Sequence, residues 1–370
     1  MELKQIKVIL LSGTMKMSGS TTWINNLAVG FSRLDVEYLH LIVGTLGRFP
    51  SRAQSVLYTG RSRSNWLVRL LRWIQFHKIF KQAFSRVEMR FFNKKCSDLL
   101  KGKLSDRVLV VKGFNSFLPE FFLTEQFVVV DVLHNNVNVC ELKGYQGQLV
   151  AVSDTVREGA FALGYPVIKT IYNPIDISEL QLKAKEYEVD CDSPYILYVG
   201  NFFKEKGVFD LLQAYASSEN PEVKKCKLVY VGGGSSFNEL KKQVAENDLQ
   251  DRVVFTGLLE NPYPWIARAS LLVLPSYAEA MPYVPIESAV LKTAYLVAGF
   301  KAASEFFCTE NIYTVTNQPG QRVQSLKNAL PLALMANSFE LLPGLKDKIK
   351  PEEVALQYYS LLREADAGVE

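Results

Sequence analysis

The chain has 370 residues, 48% of them hydrophobic and 22% charged, which is enough for two domains that each bury a core. Its five scattered cysteines form no CxxC pair, which argues against a structural zinc site or a disulfide framework and fits a reducing compartment. The first apolar run is too short for a secretion signal, and no run approaches the roughly 18 residues of a membrane span. We therefore expect a cytoplasmic protein, free or peripheral on the inner face of the cytoplasmic membrane.

The first half of the chain alternates between predicted strands and helices. A strand over residues 7–11 precedes a small-residue loop and a predicted helix over 22–34. Further strands are predicted at 107–112, 127–131, 149–152 and 167–172. Asn173-Pro-Ile-Asp176 then breaks the pattern, because a proline disfavours helix at the residue before it.

Two places in this half are candidate binding elements. The loop Ser18-Gly19-Ser20-Thr21 follows the first strand and could bind phosphate, or Ser20 could simply cap the helix. The loop is neither GxGxxG nor GxxxxGK[ST], so a dinucleotide or Walker-type site is disfavoured. His134 directly follows the 127–133 strand, where it is either a ligand-binding or catalytic residue or a structural histidine.

A strongly basic segment lies between Arg48 and Arg107. It holds fifteen Lys or Arg residues against three acidic ones, a local net charge of +12 in a chain whose total is +4. Such asymmetry predicts an anionic partner, namely a membrane surface, a phosphorylated glycolipid or nucleic acid. One helical face of this segment is apolar and could enter a membrane interface, although a core or interdomain helix explains it equally well; its residues are Trp66, Leu70, Trp73, Phe80 and Phe84.

The alternation restarts in the second half. Strands are predicted at 195–199, 226–231, 252–255 and 271–274, and helices at 207–216, 236–247 and 351–364. Repeated β-α units predict doubly wound parallel sheets, and a restart after residue 176 predicts two of them. The fold class is therefore α/β.

Three strand ends in this half carry glycine-rich or basic loops, at the edge where doubly wound sheets bind ligands. Gly200 and Asn201 open a loop that runs to Lys206, a point charge that could reach a diphosphate or could be a solvated turn lysine. Two further strand ends allow close approach of a ligand to the backbone, or are ordinary turns; their candidate residues are Gly232, Gly233, Phe255 and Gly257.

Two carboxylates flank the junction that follows the 271–274 strand. Glu279 lies in the predicted loop, and Glu287 lies about two turns into the next helix. Between them, backbone N–H groups near Ala280 and Met281 lie at a predicted helix N-terminus, which favours anions. A nucleotide sugar fits this arrangement, with its diphosphate at the helix start and its hydroxyl groups at the two glutamates. The alternative is a pair of unrelated surface glutamates.

Together these elements resemble the family-4 retaining glycosyltransferases, which have the GT-B fold of two Rossmann-like domains facing across a cleft. The family's Glu-x7-Glu signature corresponds to Glu279 and Glu287, and its Gly-x5-Lys-Gly element to Gly200 and Lys206. The resemblance covers nearly the whole chain. It implies an N-terminal acceptor domain (1–175), a C-terminal nucleotide-sugar domain (176–350) and a last helix (351–370) packing back on the N-terminal domain.

The resemblance also implies roles. Lys206 would neutralise the leaving diphosphate, His134 would contact the sugar from the other domain, and the Ser18–Thr21 loop would close over donor or acceptor. Glu279 would bind donor-sugar hydroxyls and Glu287 the ribose. The diphosphate would be held by the backbone N–H groups of Ala280, Met281, Pro282 and Tyr283. The family often has Arg where this chain has Asn201, so one phosphate-binding charge is missing or supplied elsewhere.

The resemblance thus implies transfer of a hexosyl unit from an NDP-sugar to a glycan or glycolipid acceptor of a bacterial lipopolysaccharide, capsule or lipid-linked oligosaccharide, with no cofactor and no required metal. We expect an anionic membrane to contact the basic 48–107 segment. The alternatives are a catalytically silent GT-B scaffold or anionic-surface binding protein, and a GT-B epimerase or phosphorylase. A nucleic-acid binder is disfavoured because no nucleic-acid module is recognisable.

Overall fold

A computed structural model describes residues 5–14, 19–45, 56–58, 100, 102–113, 122–134, 148–315 and 320–367. The chain forms two compact units. The first comprises Met1–Val152, Val156–Pro174 and Ile349–Glu370, and the second comprises Ser153–Thr155 and Ile175–Lys348.

The described residues contain strands and helices in alternation. The strands are β1 Ile6–Thr14, β2 Tyr38–Thr45, β3 Val56–Tyr58, β4 Leu104–Gly113, β5 Phe127–Leu133, β6 Gln148–Ala151, β7 Val167–Thr170, β8 Tyr195–Asn201, β9 Lys227–Gly233, β10 Val253–Gly257, β11 Leu271–Leu274, β12 Tyr295–Ala298 and β13 Ile312–Tyr313. The helices are α1 Gly19–Arg33, α2 Asp154–Ala162, α3 Ile177–Lys183, α4 Val208–Ala216, α5 Pro221–Lys225, α6 Phe237–Glu246, α7 Tyr263–Arg268, α8 Tyr283–Val290, α9 Ala303–Phe306, α10 Gln321–Ala336, α11 Leu345–Lys348 and α12 Pro351–Ala367.

The first unit is built on a seven-stranded sheet of order β3-β2-β1-β4-β5-β6-β7, with every neighbouring pair parallel. Its central strands are continuous apolar runs, such as Val8–Leu11 and Val108–Val111, and they are fully buried. Strands of this kind are covered on both faces, as the doubly wound prediction requires. Lys112 and Asp131, neighbours on β4 and β5, form a buried ion pair inside this sheet.

The last helix of the chain belongs to the first unit, where α12 packs against α1. The contact is close because Gly30 has no side chain; a Cβ there would lie 2.0 Å from the carbonyl oxygen of Pro351. The buried face of α1 consists of residues about one turn apart, Trp23, Leu27 and Phe31. The polypeptide therefore completes its first unit with its last described helix.

The second unit is built on a six-stranded sheet of order β10-β9-β8-β11-β12-β13, again parallel throughout. Beneath the ends of β8, β9 and β10 lies a cluster of aromatic rings whose centroids are 5.4–6.3 Å apart; its members are Tyr198, Phe202, Tyr230, Phe237 and Phe255. Two doubly wound parallel sheets confirm the predicted α/β fold class.

Some predictions of secondary structure were wrong. Helix α1 begins at Gly19, three residues earlier than predicted, so Ser20 lies inside the first turn and is not the N-cap. Strands β2, β3, β12 and β13 were not predicted. Strand β2 contains the buried, polar His40, and β3 and β13 span three and two residues, too short for a periodicity to be recognised. The apolar face from Trp66 to Phe84 lies outside the described residues.

Candidate functional site

The glycine-rich and acidic loops predicted in the second half lie at one edge of the second unit's sheet. Strands β10, β9, β8 and β11 are neighbours in that order and run parallel, so their carboxyl ends share an edge. The elements at that edge are Gly257, Gly233, Asn201 and the loop that follows Leu274. Ligands of doubly wound sheets bind at the carboxyl ends of the strands.

A lysine and a glutamate meet at this edge. The Nζ of Lys206 lies 2.8 Å from Oε1 of Glu279, with the two side chains 28% and 17% exposed. Lys206 ends a 3-10 turn, and Gly207 follows it in the left-handed conformation with φ 68°. A Cβ on Gly207 would lie 2.2 Å from the carbonyl oxygen of Pro275, so only glycine lets the lysine turn approach the loop after β11 so closely. The alternative interpretation was that Lys206 and Glu279 are solvated surface side chains. Both are instead partly buried and paired with each other.

The ends of strands β8 and β9 contain glycines, so backbone atoms and not side chains form this part of the edge. Gly200 of β8 pairs in register with Gly232 of β9. A Cβ on Gly232, whose φ is 137°, would lie 1.9 Å from the carbonyl oxygen of Gly200. Phe202 N–H donates to the Gly233 carbonyl over 2.9 Å, which ties the two loops together. At Gly232 the missing side chain therefore allows the backbones of the two strand ends to pack closely on each other.

The loop that carries Glu279 leads into helix α8. Pro282 is the N-cap residue, with φ −77° and ψ 127°, and its side chain makes no capping hydrogen bond. The helix thus begins at Tyr283, and Ala280 and Met281 precede it as buried loop residues. Pro282 has no N–H, so the expectation that every residue from 280 to 283 donates to a diphosphate is wrong at this position. The expectation of N–H donation therefore applies only to Ala280, Met281 and Tyr283.

Glu287 lies on the buried side of α8, which contradicts the surface alternative for this residue. It is only 5% exposed, and the Oη of Tyr263 donates a hydrogen bond to its Oε1 over 3.2 Å. Burial raises the pKa of Glu287 to about 7, against a smaller lowering by the Tyr263 hydroxyl. This carboxyl group therefore changes charge near neutral pH. Sequence reasoning missed Tyr263, whose only local signal is the Pro-Tyr-Pro segment at the start of α7.

His134 belongs to the first unit and directly follows β5. The His134 and Trp23 rings meet in a T-shaped arrangement at a centroid distance of 4.5 Å. Burial lowers the pKa of His134 to about 4, so the imidazole is neutral at physiological pH. Gly19 and Ser20 lie in the first turn of α1, whereas Ser18 lies outside the described residues. The predicted site residues are thus divided between the two units.

Among the residues that the structure describes, no group of three or more His, Cys, Asp or Glu side chains could hold a metal ion. Within the same residues, no helix combines the length and apolar character needed to cross a membrane.

Comparison with known proteins relates the second unit to sugar transferases. Residues 181–337 match the family described as "Glycosyl transferases group 1". A Campylobacter jejuni relative, N-acetylgalactosamine-N,N'-diacetylbacillosaminyl-diphospho-undecaprenol 4-alpha-N-acetylgalactosaminyltransferase, is 25% identical over 280 residues, covering 75% of this chain and 70% of that protein. The Escherichia coli lipopolysaccharide 1,6-galactosyltransferase is 27% identical over 149 residues, covering 38% of this chain and 39% of that protein.

Solved structures match over almost the full length. Anabaena HepE in complex with UDP and glucose has a TM-score of 0.68 at 15% identity and covers 99% of both chains. The apo form of the lipopolysaccharide outer core galactosyltransferase WaaB has a TM-score of 0.61 at 14% identity, covering 98% of this chain and 100% of that one. These similarities confirm the predicted GT-B fold.

Proposed function

Starting from the glycosyltransferase group 1 domain that the chain carries at residues 181–337, we propose a retaining hexosyltransferase of family 4 that uses an NDP-sugar donor. The observation that carries the proposal is the placement of the Lys206–Glu279 pair, between the glycine strand ends and the start of α8, at one sheet edge. A cation, hydroxyl-binding carboxylates and backbone donors are the groups that a nucleotide sugar requires.

Each group of the site has a role in this proposal. Glu279 accepts hydrogen bonds from donor-sugar hydroxyls, and Glu287 accepts them from the ribose. The N–H groups of Ala280, Met281 and Tyr283 hold the diphosphate near the helix start. Lys206 turns its ammonium group from Glu279 to the diphosphate as negative charge builds there, so its contribution grows in the transition state.

The proposed reaction needs no nucleophile from the protein. The bond between the anomeric carbon and the diphosphate oxygen breaks, and its electron pair leaves with the diphosphate. The acceptor hydroxyl oxygen bonds to the same face of that carbon, and its proton passes to the departing diphosphate. Retaining hydrolases instead need a carboxylate nucleophile beside a second carboxylic acid. Here Glu279 is engaged with Lys206, which suits it to binding hydroxyls.

Further parts of the proposal concern His134 of the first unit, the metal requirement and the nucleotide. The neutral imidazole of His134 can exchange hydrogen bonds with a sugar without adding charge. No metal is required, because the Lys206 ammonium takes the charge of the leaving group. UDP and GDP are the proposed nucleotides, and the UDP named for the Anabaena structure supports the first of them.

We further propose a glycolipid or lipid-linked glycan acceptor. The names of two relatives support it, since one acts on a diphospho-undecaprenol glycan and the other on lipopolysaccharide. The basic segment between residues 48 and 107 would hold the enzyme on the anionic cytoplasmic face of the membrane. Binding to anionic vesicles at low salt, weakened by reversing Arg61, Arg63, Arg69 and Arg72 to Glu, tests this; undiminished binding of the reversed variant would contradict it.

A thermal-shift screen against UDP, GDP, ADP and CMP tests the donor site. A bound nucleotide raises the melting temperature by mass action. One nucleoside diphosphate should stabilise the wild type, and Glu287→Ala should abolish that shift. Glu246→Ala on the exposed face of α6 is the matched control and should keep the shift. If none of the nucleotides stabilises the wild type, the transferase proposal fails and the silent scaffold gains support.

A further inference from the structure

Arg322 lies behind the candidate site, in the first turn of α10. Its Nε donates to Oδ2 of Asp210 over 3.1 Å, and its Nη2 donates to the carbonyl oxygen of Pro275 over 2.9 Å. The guanidinium carbon lies 3.9 Å from the centroid of the Tyr277 ring. With only 15% of the side chain exposed, the guanidinium group is held by three partners at once.

Asp210 completes the cluster from the first turn of α4. Its side chain is 16% exposed, and its charge lies close enough to Tyr277 to affect the hydroxyl of that residue. Burial raises the pKa of the Tyr277 hydroxyl, and the negative charge of Asp210 raises it further, so Tyr277 stays neutral. Arg322 thus pairs with Asp210 while it stacks on Tyr277, which links α4, α10 and the loop after β11.

The two loop residues that Arg322 contacts also touch the lysine turn. The Pro275 carbonyl lies against Gly207, where no Cβ could fit, and Tyr277 N–H donates to the Glu205 carbonyl over 2.9 Å. Glu279 follows Tyr277 by two residues and pairs with Lys206. Arg322 therefore contacts the loop just before its functional part and does not itself take part in the ion pair.

We propose that Arg322 is a positioning residue, which fixes the loop of residues 275–282 against the lysine turn so that the diphosphate-binding groups are in place before the donor arrives. This inference rests on the proposed function and names what sets the geometry of that site. The charge of Arg322 is satisfied by Asp210, so it acts through Pro275 and Tyr277 and is not a phosphate ligand. Lysine cannot replace it, because a point donor cannot reach both oxygens and stack flat on a ring.

The test compares nucleotides that do and do not use the loop. UDP needs the diphosphate-binding groups near Glu279, whereas UMP retains only the contacts of base, ribose and first phosphate. Calorimetry with UDP and UMP, and with GDP and GMP, is carried out on wild type, Arg322→Ala and Arg322→Lys. We expect the Kd of the cognate diphosphate to rise about 10-fold to 100-fold in both variants, while that of its monophosphate stays within a few-fold.

Arg252→Ala is the matched control, since Arg252 also lies over a tyrosine ring, that of Tyr215 at 4.8 Å, and also donates to a carbonyl oxygen. It should bind both nucleotides as the wild type does. Equal weakening of diphosphate and monophosphate in Arg322→Lys, or no weakening of either, would overturn the positioning role and leave the transferase proposal intact. If the wild type binds neither UDP nor GDP, the proposed function fails and this inference fails with it. Arg322→Lys keeps a positive charge beside Asp210 and is therefore expected to fold. The test can then be made on this variant alone if Arg322→Ala does not fold.

Discussion

The buried carboxyl group of Glu287 should make the protein less stable as pH rises, and Glu287→Gln should remove that dependence. The pKa is about 7 in the folded protein and 4.5 without its environment. Between these values the folded state binds more protons than the unfolded state, so the free energy of unfolding falls with increasing pH. A difference of about 2.5 pKa units corresponds to a loss of about 3 kcal/mol once the pH exceeds 7. Below pH 4.5 the Glu287 carboxyl group is protonated in both the folded and the unfolded state, and its full contribution to stability is present.

Urea denaturation at pH 5 and pH 8 measures the effect. Glutamine keeps an oxygen that accepts from Tyr263 and has no charge to bury, so it resembles the protonated glutamate. The stability of Glu287→Gln relative to the wild type should therefore increase by about 2.5 kcal/mol from pH 5 to pH 8. Glu246→Gln, on an exposed face, is the control and should show no such increase. A stability difference that is the same at both pH values would refute the reasoning, because it would mean that Glu287 is ionised throughout.

Three further predictions concern neighbouring groups. Lys206→Ala should raise the Kd of UDP or GDP about 10-fold, measured by calorimetry, because a charge-assisted contact is lost. The control is Lys204→Ala, since Lys204 lies in the same turn with its side chain 74% exposed and its removal should leave the Kd unchanged. Equal effects of the two substitutions would contradict the role of Lys206. Tyr263→Phe removes a hydrogen bond that lowers the Glu287 pKa, so more of this carboxyl group should be protonated at pH 7. Nucleotide affinity should therefore fall a few-fold at pH 7 and recover at pH 9, where the carboxyl group is ionised. A pH profile of affinity that is unchanged from the wild type would contradict this. Gly232→Ala should cost at least about 2 kcal/mol in urea denaturation, because its Cβ would overlap a carbonyl oxygen of the adjacent strand; a cost below 0.5 kcal/mol would show that the strand ends separate readily.

The fold and the edge of the site were predictable from local patterns. Continuous apolar runs such as Leu271–Leu274 identify strands buried on both faces, and parallel strands bring their following loops together without further information. Gly200, Gly232 and Lys206 were placed on the correct edge for that reason. A short strand such as β13 carries too little pattern to be predicted.

The environment of the side chains was less predictable. Glu287 looks the same in the sequence whether its helix face meets solvent or the interior, and only the packing of α7 on α8 shows that it is buried beside Tyr263. Arg322 follows Glu279 by more than forty residues, and its contact with the loop depends on how α10 packs against α4. Pro282 is different, because its missing N–H could have been read directly from the sequence.

The packing of α12 on α1 has a consequence for biosynthesis. The second unit is almost continuous, from Ile175 to Lys348, and leaves the ribosome as one stretch. The first unit is incomplete until α12 has been synthesised. Before that helix emerges from the ribosome, it cannot cover the apolar face of α1 that includes Trp23 and Phe31. Because domains generally fold as units during synthesis, the second unit can finish first although it is encoded second. A chain truncated before Ile349 would therefore contain a folded second unit and a first unit in which the apolar face of α1 lacks the cover of α12.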